Sequence, residues 1–450
     1  MPSILDAHLL HAILFLQKLD AANDRYLAGE TAPALIDFDH NQTNIQSAQR
    51  WLSEYTITLS DKQIHSDEIA RALVDLCNAY PDAGAYLINF RLAANERIRW
   101  LQAGLLASQR LGNPETTQAH LGNLGLAFYE LGNFSSAIQY FEDALKLAKQ
   151  IGDQYHQGAW LGDLGNIYSV QGEHKKAIEY YERHLQIARE IKDERGEGHA
   201  LANLGVSFAF LGDTAKALEN YHQFRDLAVR RGDRRDESQA LLNIGLAYYD
   251  LGELDQANTC LEAALLIANE LGDPLTQALA MGGLADIDID QKVFHAAIQT
   301  LQNALEILKN IHHDVGTELR LLQSLGNAYN ACADYPKALD TYTHQQNLAG
   351  EVGAKASICS ALANQASIHR QVGNLSLAFE FSEKGLALAE EINSISYEAF
   401  IRWQLGLIYE LQDEKQKAIG EMEIAIHIEE QTHAFDLANH CEHLKQLKSL

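Results

Sequence analysis

Residues 121–133 read LGNLGLAFYELGN, and close variants return at 161–173 (LGDLGNIYSVQGE), 201–213 (LANLGVSFAFLGD) and 241–253 (LLNIGLAYYDLGE). The central small residue of the phrase falls at Gly125, Gly165, Gly205, Gly245, Ala285, Gly326, Ala366 and Gly406, in steps of 40 residues with a single step of 41. Twelve residues after each stands an alanine: Ala137, Ala177, Ala217, Ala257, Ala297, Ala338, Ala378 and Ala418. Eight coincidences at one offset mark a structural period, and a period of this length means stacked supersecondary units.

Each unit reads as two helices. In the first copy Leu121, Leu124, Gly125 and Phe128 recur at i, i+3, i+4 and i+7, one face of an amphipathic helix. Gly132 and Asn133 then end that helix and cap the next, whose apolar side carries Ala137, Ile138, Phe141, Ala144, Leu145 and Ala148. Gly152 and Asp153 repeat the punctuation, and Pro114 and Pro274 follow cap residues at first-turn positions where proline costs nothing. The recurring glycine and alanine permit close crossing of the two helices. Phe128, Tyr168, Phe208, Tyr248 and Tyr329 are expected to fill the space between neighbouring units.

The LG…Y/F…G…A…F/Y…A spacing of these residues resembles the tetratricopeptide repeat (TPR) over residues 114–432, about 70% of the chain. The period is longer than the usual one and is similar to the extended variant of Pins-type adaptors, kinesin light chains and many bacterial regulators. The resemblance implies an all-α, right-handed superhelical solenoid of about eight 40-residue helix-turn-helix units, with the first helix of each lining a concave groove. Around it, residues 1–113 are expected to form a helical N-terminal region that includes a degenerate repeat (Ile98, Leu101, Leu105, Leu106). Residues 433–450 are expected to form a capping helix with an apolar stripe at Leu437, Cys441, Leu444 and Leu447. The stretch from Tyr26 to Trp51 resembles the helical segment that precedes the TPR array in bacterial STAND-class signalling proteins. No GxxxxGK[ST] phosphate loop accompanies it, so the resemblance implies a sensor half without its ATPase. Whether the chain is a full gene product or part of a larger one stays open.

Composition narrows the partners. A formal net charge of −26 argues against nucleic acid and against anionic lipid, both of which need basic surfaces. The longest apolar runs fall short of the roughly 18 residues that span a bilayer. Five scattered cysteines without a CxxC pair fit reduced thiols in the cytoplasm.

The groove-facing stripe of each first helix follows from helical geometry. Two residues before each key small residue lie Asn123, Asp163, Asn203, Asn243, Gly283, Ser324, Asn364 and Gln404. Asparagine is a poor helix former, and its amide can donate to and accept from a peptide backbone at once. TPR proteins use groove asparagines to clamp ligand backbones, which the resemblance carries over to Asn123, Asn203, Asn243 and Asn364, with Asn166 and Asn327 one turn further along. Bonding of these amides to neighbouring helices is the alternative. Tyr129 and Tyr249 offer aromatic contacts, and Arg320 and Arg370 could pair with acidic ligand groups. The stripe holds six acids and two bases, so most of the acidic excess belongs to the outer faces.

Other clusters carry weaker signals. Asp286, Asp288 and Asp290 in the atypical fifth unit could mark a cation site, but only two share a face. In that unit Asp288 stands where an aromatic belongs, and Lys292 where the loop glycine belongs. His433, Asp436, His440 and His443 fall on one side of the last helix, where a solvated polar face is the simpler reading than a metal site. Arg230, Arg231, Arg234 and Arg235 form the densest basic cluster. No catalytic constellation, cofactor site or metal site stands out. The expected function is non-enzymatic: a scaffold or sensor binding a peptide segment of another protein in its groove. The alternative is a bacterial signalling regulator whose superhelix closes on a peptide or small ligand. The sequence names neither partner nor oligomeric state.

Overall fold

A computed structural model of the chain describes residues 4–309, 314–432 and 437–449. Among these, all regular structure is helical, in two compact units, Met1–Leu227 and Ala228–Leu450.

The first unit opens with α1 (Ile4–Leu27), α2 (Thr31–Thr58) and α3 (Asp61–Ser66), which do not follow the repeat, and with α4 (Glu68–Ala83), α5 (Ala85–Arg91) and α6 (Ala94–Leu111), which follow it imperfectly. Leu19, Phe38, Leu52, Leu73, Tyr80 and Trp100 build one core among them. The Tyr80 hydroxyl donates to the Ala12 carbonyl at 2.8 Å and so ties α4 to α1. Helix pairs then begin with α7 (Pro114–Glu130) and α8 (Phe134–Ile151), followed by α9 (Gln154–Val170) and α10 (His174–Ile191). The next pair is α11 (Glu194–Phe210) and α12 (Thr214–Arg231), whose last turn passes into the second unit. That unit continues with α13 (Arg234–Asp250), α14 (Leu254–Leu271), α15 (Pro274–Asp290), α16 (Phe294–Lys309), α17 (Val315–Ala331) and α18 (Tyr335–Val352). It closes with α19 (Lys355–Gln371), α20 (Leu375–Glu391), α21 (Ile395–Leu411), α22 (Lys415–Thr432) and α23 (Leu437–Ser449).

The punctuation works as read. Asn113, Asn133, Asp153, Asp233, Asp273 and Asp314 each accept a backbone N–H in the first turn of the helix they cap. Pro114 and Pro274 occupy first-turn positions. Lys292, in place of the loop glycine, takes the left-handed φ of 64° that the glycine would have taken.

All eight period alanines are fully buried. The key glycines make room for a large side chain of the partner helix sixteen residues on. A Cβ at Gly165 would lie 2.5 Å from the Tyr181 ring, at Gly205 2.3 Å from Tyr221, and at Gly326 2.4 Å from Tyr342. In the fifth repeat the key residue is Ala285 and the facing residue shrinks to Leu301; in the seventh Ala366 stands with Ser382. In these two repeats the larger key residue goes with a smaller facing one than the tyrosines, as close packing demands, while the fourth repeat keeps Gly245 against Leu261. The aromatics expected between neighbouring units turn out to stack inside their own repeat as well. Phe128 lies on Tyr140 and Tyr168 on Tyr180, each at 5.3 Å, with Lys176 3.8 Å above Tyr168.

First helices of neighbouring repeats also touch one another: α9 with α11 in the first unit, and α13, α15, α17, α19 and α21 in succession in the second. Each unit therefore presents a wall of first helices. No helix of the described residues is long and apolar enough to cross a membrane.

Candidate functional site

In the first unit the wall holds Asn123, Tyr129, Asp163, Asn166 and Asn203, all half-buried. Asn166 sits one residue after Gly165 and faces the ring that the glycine admits. Its side-chain carbonyl accepts the Tyr181 hydroxyl at 2.8 Å and the Asn203 amide at 3.1 Å. Asn166 and Asn203 are therefore tied to each other and into the fold. Tyr129 leans on Phe134, with ring centroids 5.8 Å apart, and its phenol is pushed up by burial and by nearby Asp163. Asp163 has no cationic partner among the described residues, and burial pushes its carboxyl up to about 7. Asn123 lines a cavity of about 320 Å³ together with Arg97 and Glu130.

In the second unit Arg320 faces two carboxyls, Asp250 and Asp286. Burial raises both, and the guanidinium opposes the shift. Asp286 also bonds Ser324. Tyr249 lies beside Asp286, Asp290 and Asp250; burial first, then that acidic company, pushes its phenol up. Asn327 accepts the Tyr342 hydroxyl at 2.6 Å, repeating the Asn166–Tyr181 arrangement. Arg370 donates to Gln404 at 3.0 Å, and burial lowers its pKa. Asn243 and Asn364 are half-buried, and neither has a hydrogen-bond partner for its amide among the described residues.

The predicted residues thus divide. Asn166, Asn203, Asn327 and Arg370 spend bonding capacity on their own fold; Asn123, Asp163, Asn243 and Asn364 keep theirs. Tyr249 and Arg320 are gathered into one acidic constellation, while Asn243 and Asn364 stand apart.

The weaker clusters have internal explanations. His440 bonds Glu429 at 2.9 Å and His443 bonds Glu410 at 2.8 Å, and both pack on Trp403. His433 and Asp436 lie outside the described residues. Arg231 pairs with Asp233 and Asp236, and Arg234 with Glu237 and Glu270. No group of three or more metal-ligating side chains gathers among the described residues.

One residue of the expected degenerate repeat escaped the sequence reading. Helix α6 lies 40 residues before α8, and both end on a left-handed glycine, Gly112 and Gly152. In that register the position of the eight alanines is Arg97, which is 5% exposed. Extending the period one step toward the N-terminus would have found it.

Tetratricopeptide-repeat family profiles match residues 121–151, 156–228 and 236–310, and a profile of anaphase-promoting complex subunit 5 matches residues 323–430. No curated protein matches the chain. Among solved structures it is similar to the apo form of the quorum sensor NprR from B. thuringiensis. There the identity is 15% and the TM-score 0.54, over 83% of this chain and 97% of that one. It is also similar to the apo form of RapI, with 14% identity and a TM-score of 0.50 over 61% of this chain and 98% of that one. At these identities the likeness speaks for the fold.

Proposed function

We propose that this chain, a TPR-type helical-repeat protein, is a non-enzymatic docking module that binds a peptide segment of a partner protein along its first-helix wall. The observation that carries the reading is the set of wall amides left without internal partners, Asn243 and Asn364 in the second unit and Asn123 in the first. A helix gains nothing from asparagine there, whereas a peptide backbone gains a donor and an acceptor in one side chain. Asp163 supports the same reading, since a basic side chain of the partner would relieve its unpaired burial. Helix-lined walls take extended or helical segments through such spaced anchors.

A peptide-display selection on the full chain tests this. An enriched peptide, made synthetically, is titrated into the native protein and into the Asn243→Ala, Asn364→Ala double variant. The reading expects Kd to rise on the order of tenfold, the scale of one or two net hydrogen bonds, with the melting temperature nearly unchanged. Unchanged affinity, or a loss of stability that matches the loss of binding, would overturn it.

A further inference from the structure

The first repeat-like unit departs from the others in three linked ways. Its first helix is broken: α4 ends at Ala83, Gly84 interrupts, and α5 restarts at Ala85, the position of the key small residue. Its second helix carries Arg97 where all eight later units bury an alanine. Between these pieces and α7 lies the cavity of about 320 Å³, near the lower end of small-ligand pockets (about 300–1,000 Å³).

A buried guanidinium costs several kcal/mol unless it is paired. Arg97 has two partners here. One terminal nitrogen donates to the exposed Asn89 amide oxygen at 3.1 Å, and the other bonds the carboxylate of Glu130. Glu130 is half-exposed, on the last turn of α7, and among the described residues Glu130 and Arg97 are the only charged ones lining the cavity. The remaining lining is largely apolar, with Ile88, Leu101 and Ala127 inside and the exposed Tyr86 and Leu126 beside it. Asn123 from the wall completes the rim.

We infer that this cavity anchors a carboxylate borne next to an apolar group. The apolar group enters against Ile88, Leu101 and Ala127. The carboxylate replaces Glu130 on Arg97 as a charge-assisted, fork-shaped pair, and Asn123 and Asn89 hold the adjoining amide. Glu130 is the built-in occupant that the ligand displaces into solvent. The inference rests on the peptide-binding reading and adds to it which end, or which side chain, of the peptide is fixed.

The test uses the full chain and three probes: N-acetyl-Gly-Phe as the free acid, the same dipeptide as its C-terminal amide, and N-acetyl-Glu-Phe-amide. Binding is followed by NMR shifts or calorimetry. At least one acid should bind roughly tenfold tighter than the neutral amide, and whichever does so identifies a terminal or a side-chain carboxylate as the source. Arg97→Ala restores the residue of the other eight units, so it should fold; it should reduce the acids to the level of the amide. Glu130→Gln removes the competitor and should tighten the acids severalfold while leaving the amide unchanged. Equal binding of acid and amide, acid binding that survives Arg97→Ala, or no binding of any probe at millimolar concentration would each overturn the inference. If the selected peptide still depends on Asn243 and Asn364 in that event, the docking reading stands without this anchor.

Discussion

Replacing Gly165 with alanine should destabilise the first unit, although it puts the best helix former in place of the worst but proline. Taken alone, the exchange favours the helix by about 1 kcal/mol. The new Cβ, however, would lie 2.5, 2.7 and 3.0 Å from three Tyr181 ring atoms, against about 3.5–4.0 Å for comfortable carbon contacts. Tyr181 cannot step aside. Its ring is 2% exposed, and its hydroxyl is held by Asn166 at 2.8 Å. Overpacking of this kind costs about 1–3 kcal/mol, and a hydroxyl pulled from its acceptor adds about 1 kcal/mol. The net expectation is a loss of about 1–3 kcal/mol. Gly420→Ala in the middle of α22 is the control, because nothing lies within 4 Å of its Cβ position; it should stabilise by about 0.5–1 kcal/mol. Adding Tyr181→Leu should rescue Gly165→Ala, since the fifth repeat already packs Ala285 with Leu301. The expected coupling is about 1–2 kcal/mol. Repeat arrays unfold in parts, so the assay pairs urea denaturation with hydrogen exchange of the amides in α9 and α10. A Gly165→Ala protein as stable as the native one, or stabilised like Gly420→Ala, would refute the idea that the glycine exists to admit the ring.

Other expectations can be checked in the same way. Asn327→Ala leaves the Tyr342 hydroxyl without its 2.6 Å acceptor and should cost about 1–3 kcal/mol in urea denaturation; a neutral result would mean the hydroxyl finds another partner. Lys292→Gly relieves a left-handed φ of 64° on a residue with a Cβ and should stabilise the chain by about 0.5–1 kcal/mol, read as a higher urea midpoint. The carboxyl of Asp163 is raised in the folded state to about 7, so the native chain holds a proton that the unfolded chain has already released. Stability from this group is full below the ordinary carboxylate range and is lost as pH rises toward 7. Asp163→Asn, the residue that Asn123, Asn203 and Asn243 already supply in this register, should therefore gain more over the native protein at pH 8 than at pH 5; parallel pH profiles would contradict it.

The fold was legible because its determinants recur. One alanine at one offset, eight times, announces a buried crossing that any larger side chain would disrupt, and glycine with Asn or Asp marks many of the helix boundaries. The site was legible only in part. An asparagine on the wall looks the same in sequence whether its amide is spent or spare. The difference lies in residues on other helices: Tyr181 claims Asn166, Asn166 claims Asn203 and Tyr342 claims Asn327, while Asn243 and Asn364 meet no such claimant. The acidic constellation around Arg320 was hidden for a related reason, because Asp250 and Asp286 come together only when α13, α15 and α17 stand side by side. The helices before α4 follow no period. Their core rests on single long-range contacts such as Tyr80 to the Ala12 carbonyl, which periodicity cannot reveal.

The central claim, that the first-helix wall receives a peptide through its spare amides, is tested most directly by an experimental structure of the full chain bound to a display-selected peptide. The account predicts hydrogen bonds from the side-chain amides of Asn243 and Asn364 to the peptide backbone. A peptide seated on the second-helix face, with both amides untouched, would contradict it.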